Sequence, residues 1–170
     1  PAETPMLDGR KSVRRINAYL LEGDMDASPL PLVETPYWSI GSQVYGQGFL
    51  FDDSDEKANR VSLLEQIKTT EPASAARVFP YIGGEEINTD PAQQPHRWAI
   101  YLSDLAAESE LDSVPALRDL VRMKVKPDRD KLGSNPNNVP LKRRWWAYQA
   151  HRPKLYNLVR GLRRVLVCSR

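Results

Sequence analysis

Fourteen prolines cut this 170-residue chain into short pieces. Proline lacks a backbone N–H and fixes its own φ, so it breaks helices and is confined to the edges of sheets. Only short elements fit between these stops. Pro29, Pro31 and Pro36 fall in DMDASPLPLVETP, which reads as an irregular loop. Ala58, Val61, Leu64 and Ile67 step at helical spacing, and Pro72 limits that helix to an end near Thr69. Asp53 and Glu56 have the spacing of a capping box at its start. Pro80 interrupts the short extended run ARVFPYI. Val114, Leu117, Leu120, Val121 and Val125 define a second helix, with Pro115 in its first turn and Pro127 as its stop. GSNPNNVP, Gly133–Pro140, reads as a loop. A last helix runs from Pro153 to Leu162, with Leu155, Leu158, Val159 and Leu162 inward and Gly161 near its end.

Four stretches read as strands. They are RINAYLLEG (Arg15–Gly23), a segment centred on Gly48–Phe51, HRWAIYLS with Trp98, Ile100 and Leu102 on one face, and a final VLVCS. Gly46 and Gly48 suggest a bulge or a close backbone approach. Strands and helices interleave without a strict βαβ rhythm. The expectation is therefore a single α+β domain, with a mixed or antiparallel sheet flanked by about three helices. Residues 1–12 read as a leader or linker and 13–170 as the domain. The chain begins without Met and stops after a strand-like run, and is expected to be a piece of a longer protein.

No apolar run reaches the length of a membrane span, and the N-terminus lacks a basic-then-apolar signal. Cys168 is the one cysteine, which excludes an internal disulfide and fits a reducing, cytoplasmic setting. With only His96 and His151 beside it, a structural zinc site is not expected.

Charge is unevenly spread. Residues 1–117 hold nine Lys/Arg against nineteen Asp/Glu, and residues 118–170 hold fifteen against three, together the net +2. No acidic residue follows Asp130. Such asymmetry points to a polyanion partner, or to a basic face that pairs with the acidic half. The stretch KRRWWAYQAHRPKLYNLVRGLRR sets Lys142, Arg143, Arg144, Arg152, Lys154, Arg160, Arg163 and Arg164 among Trp145, Trp146 and Tyr148. Cations neutralise phosphates, and guanidinium forks read guanine edges in a major groove. At least one tryptophan is expected in the core, and Tyr148 and Tyr156 are expected to pack.

Catalytic chemistry is hard to find. Glu85 and Glu86 are adjacent, so a strand would send them to opposite faces. Gly83-Gly84 matches neither dinucleotide-binding nor phosphate-loop spacing and reads as a turn, with positive φ at one of the pair. The glutamates are expected to face solvent or neighbouring basic groups. NPNN (Asn135–Asn138) lacks the aromatic residue that an N-P-P-aromatic methyltransferase loop needs, and PDRDK (Pro127–Lys131) lacks the second acidic strand of a metal nuclease. No catalytic residue and no metal ligand is assigned.

Five blocks then occur in order: VYGQGF, FPYIGGEEINTDPAQQPHRWAIYL, VKPDRD, WWAYQAHRPKLY and GLRRVLV, with INAYLLEG ahead of them. Together they resemble the C-terminal target-recognition region of large adenine-specific DNA methyltransferases, including MmeI-like restriction–modification enzymes and related phage-defence methylases. The resemblance covers roughly residues 13–170. It implies a parent that uses S-adenosylmethionine to methylate adenine N6 within a short asymmetric site, in some members with a nuclease upstream. The cofactor pocket would lie in a preceding domain, so this piece would bind no cofactor itself. Its partners would be duplex DNA and the methyltransferase domain of the same chain, with no membrane. DNA contacts are expected from Lys131, Lys142, Arg143, Arg144, Arg152, Lys154, Arg160, Arg163 and Arg164, with base reading near Arg163 and Arg164 and support from Lys131 and the Gly133–Pro140 loop. Gly83, Gly84, Asn88 and Trp98 would be scaffold. The rival reading is a protein-interaction module of a defence assembly, whose basic tail docks an acidic partner.

Overall fold

A computed structural model describes residues 4–17, 19–23 and 39–168. The chain groups into two compact units, Pro1–Trp38 and Ser39–Arg170. In the first, β1 (Met6–Leu7) and β2 (Lys11–Ser12) form an antiparallel hairpin. Asp8 and Gly9 turn it with φ of 51° and 64°. This left-handed backbone suits Gly and tolerates Asp. The strand expected over Arg15–Gly23 does not form. Instead the Asn17 side chain accepts hydrogen bonds from the Tyr19 and Leu21 N–H groups at 3.0 Å, and Leu20 takes φ 59°. An Asx turn has displaced the extended backbone that the apolar residues suggested. The expected loop over DMDASPLPLVETP lies wholly outside the described residues.

The second unit bears out the α+β expectation. A three-stranded antiparallel sheet runs β3 (Leu50–Phe51), β5 (Arg97–Ile100), β4 (Val78–Tyr81) in spatial order. Leu50 lies opposite Ala99, and Val78 opposite Ile100. Pro80 is accommodated because β4 is an edge strand. Ile100 and Leu102 are wholly buried, as are Phe49 and Phe51.

Helix α1 (Val61–Thr70) buries Leu64 and Ile67 on one face, and α4 (Pro115–Lys124) buries Leu117 and Val121. Pro115 sits in the first turn of α4, where a missing N–H costs nothing. Asp53 is not the adjacent cap of α1: helix begins only at Val61, whose N–H reaches Asp53 Oδ1 at 3.0 Å across a loop. Short helices fill the remaining gaps: α2 (Pro72–Ala75), α3 (Gly84–Thr89), α5 (Lys126–Asp130), α6 (Val139–Arg143) and α7 (Pro153–Val159). The described residues therefore carry more helices than about three, each one short. Pro127 does not merely stop α4; it lies in the first turn of α5.

One glycine reading needs correction, and the close approach expected at Gly48 is found. Gly83 has φ −116°, an extended backbone that precedes α3, and Gly84 does not adopt positive φ either. Gly48 instead answers to close approach. An added Cβ would meet the Lys124 Cβ at 2.5 Å and the Val125 Cγ2 at 2.9 Å, so α4 packs directly on its backbone.

Candidate nucleic-acid interface

The cations of the C-terminal third fall into two groups. Arg143, Lys154, Arg160, Arg163 and Arg164 are exposed, and among the described residues none of them forms an ion pair. The idea that Arg163 or Arg164 pairs with the acidic half thus finds no counterpart there. Lys131 is exposed and stands 3.6 Å from Asp128, one helical turn back. Lys142 is half-buried on α6.

Arg144 and Arg152 differ. Arg144 donates from Nη2 to the carbonyls of Ser103 and Leu105, at 2.9 and 2.8 Å, so its fork is tied to the backbone that follows β5. Arg152 is half-buried, and its Nε is enclosed without an acceptor.

The interleaved aromatics form packing rather than an open stacking surface. Trp145, Trp146 and Tyr148 are all buried. Trp146 Nε1 donates to the Leu105 carbonyl at 3.1 Å, and the Tyr148 hydroxyl donates to the Ile100 carbonyl at 2.6 Å. Burial pushes the Tyr148 hydroxyl well above its usual pKa, so it stays a donor. Tyr101, His151 and Tyr156 cluster beside them, with ring centroids 5.2–5.6 Å apart. His151 Nε2 bonds the Tyr101 hydroxyl at 2.7 Å, and burial, then the Arg144 charge, lowers its pKa. A neutral imidazole there adds nothing to the positive face.

The last helix ends at Val159, and residues 160–168 run exposed and irregular. VLVCS has no strand partner among the described residues, so it is not the final strand expected. Leu162, Val165, Leu166 and Val167 are all open to solvent. The tail that holds Arg163 and Arg164 therefore alternates cationic and apolar exposed groups.

The Gly83–Leu102 region is built around a buried ion pair. Glu86 is wholly buried at the first turn of α3. Arg97 of β5 clamps it bidentately, Nε to Oε1 and Nη2 to Oε2, both 2.6 Å. The Gly83 N–H donates to Glu86 Oε2 at 2.8 Å. The Arg97 hydrogen bonds outweigh burial and hold the Glu86 carboxyl down at about 2. Glu85 stays exposed, 3.2 Å from Arg97. Asn88 is exposed on α3 and Trp98 is half-buried on β5. Space beside Gly83 is filled by Tyr81 and Arg97, whose atoms lie 3.2–3.4 Å from where a Cβ would stand. Among the described residues no group of three His, Cys, Asp or Glu is placed to hold a metal ion. No helix among them is long and apolar enough to cross a membrane.

One residue escaped sequence reasoning altogether. Arg129 of α5 is 1% exposed and forms no ion pair among the described residues. Its only sequence signal was its place in PDRDK, between two acids that both turn outward.

Comparison with family models, curated proteins and solved structures finds no match.

Proposed function

We propose that this chain is the DNA target-recognition part of an S-adenosylmethionine-dependent adenine-N6 DNA methyltransferase or restriction–modification enzyme of the cytoplasm, with a role in phage defence. The observation that carries the reading is the run of exposed, acid-free cations Arg143, Lys154, Arg160, Arg163 and Arg164. Phosphate contacts need unpaired Lys and Arg in solvent. The motif resemblance supplies the rest of the reading. The piece binds and positions a duplex, while methyl transfer belongs to a preceding domain that holds the cofactor and flips the adenine. The piece itself performs no chemistry.

Selection from a pool of randomised duplexes tests this. A short asymmetric sequence should enrich over successive rounds. Absence of any duplex retention at low salt would overturn the reading. A second reading has its own observation: the exposed Leu162, Val165, Leu166 and Val167 suit a protein partner. A defence-assembly interaction module would show that partner contact without duplex retention.

A further inference from the structure

Buried arginines are normally paired, because removing a guanidinium from water is costly. Arg129 breaks that rule. Its Nη2 donates to the carbonyls of Tyr45 at 2.8 Å and Ala147 at 3.4 Å. Its Nε and Nη1 are enclosed without any acceptor, which leaves three of five N–H donors unused. An orphaned buried donor set asks for an acceptor that the described residues do not supply.

The surroundings match a phosphate. Arg129 lines a cleft of about 870 Å³, in the size range of small-molecule sites. Lys57, Arg97 and Lys124 also line it, against the carboxylates of Glu56 and Asp128. Arg97 is neutralised by Glu86, and Lys124 is tied to the carbonyls of Lys57 and Ala58. Lys57 is exposed and forms no ion pair among the described residues, and Arg129 keeps its Nε and Nη1 groups unpartnered. The Tyr45 ring lies 4.9 Å from the Arg129 guanidinium carbon, half-exposed, on a backbone with φ 46°. It covers the guanidinium without being packed into the core. Tyr81 presents a second ring to the same cleft.

We propose that this cleft is a phosphate-binding site, in which Arg129 takes the anion when the Tyr45 ring swings aside and Lys57 closes the rim. The ligand is a phosphate carried by a nucleotide or a nucleic-acid backbone, with the tyrosine rings available to the attached base. Burial already lowers the Arg129 pKa, and an anion in contact would relieve that penalty. The site does not depend on duplex recognition by the C-terminal cations, since inorganic phosphate alone reads it.

The test follows the Arg129 Nε–H resonance of the 170-residue chain by NMR at constant ionic strength. Inorganic phosphate, a nucleoside 5′-monophosphate, the bare nucleoside and a short duplex are titrated in turn, and loss of the signal in Arg129→Lys assigns it. The resonance should shift saturably with phosphate and with the monophosphate, and not with the nucleoside. Arg129→Lys, read at the Gly46 and Gly48 amides, should weaken the phosphate response roughly tenfold or more, because a lysine cannot replace the fork. A duplex acting at lower concentration than the small probes would assign the phosphate to DNA, and the reverse order to a free nucleotide. An Arg129 resonance unmoved by phosphate and monophosphate, or moved equally by the nucleoside, would overturn the proposal. That readout uses wild-type protein, so it stands even if Arg129→Lys fails to fold.

Discussion

Replacing Glu86 by Gln removes one charge from a buried pair and leaves its shape. Arg97 would then keep a buried guanidinium, its side chain 13% exposed, opposite a neutral amide. A carboxyl held from an ordinary 4.5 down to about 2 contributes about 3 kcal/mol at neutral pH. Loss of one partner of a buried ion pair gives a similar figure, roughly 3–5 kcal/mol. The sign is fixed by the depressed pKa. The contribution is complete above about 4.5 and disappears as the pH falls toward 2. Urea denaturation of wild type and Glu86→Gln should therefore differ by about 3 kcal/mol at pH 7 and converge near pH 2. Asp52, Asp90 and Asp119 also have lowered pKa values, but they are common to both proteins and cancel in the difference. A gap below about 0.5 kcal/mol at pH 7, or one that is constant with pH, would refute the argument.

Gly48→Ala should destabilise the protein by about 1–3 kcal/mol in the same denaturation assay, since the new methyl meets the Lys124 Cβ at 2.5 Å and its backbone carbon at 3.1 Å. Arg144→Ala should cost about 1–3 kcal/mol of stability by stripping the Ser103 and Leu105 carbonyls of a charged donor, yet leave the salt dependence of duplex binding unchanged. Arg163→Ala or Arg164→Ala should do the opposite: no change in thermal midpoint, and weaker duplex binding by about 1–3 kcal/mol at a selected site if the residue reads a base, or equally on all sequences if it holds a phosphate.

Much of the fold was legible because proline and apolar spacing act locally. Val61 to Ile67, Pro115 to Val121 and the run Arg97–Ile100 all carry their own period, and they form the elements expected of them. The errors have local causes too. Asn17 offered its side chain to the Tyr19 and Leu21 N–H groups and turned an apolar stretch that alternation alone would extend. VLVC has strand composition but no strand partner among the described residues, and strand preference reflects packing on a sheet more than the backbone. The candidate site was legible as a count of charges, not as a division of labour. Arg144, Arg129 and Arg163 look alike in sequence. What separates them is whether Leu105, Tyr45 or water lies beside the guanidinium, and those neighbours are 39, 84 and no residues away in the chain.

The central claim is that solvent-exposed cations of the C-terminal third hold a duplex. Its most direct test is the slope of log binding constant against log salt for wild type and for a variant with Arg143, Lys154, Arg160, Arg163 and Arg164 all replaced by Ala. About 5–8 phosphate contacts predict a wild-type slope of about −4.5 to −7, and each lost contact should flatten it by about 0.9. A wild-type chain that binds no duplex at low salt, or a variant with an unchanged slope, would contradict the account.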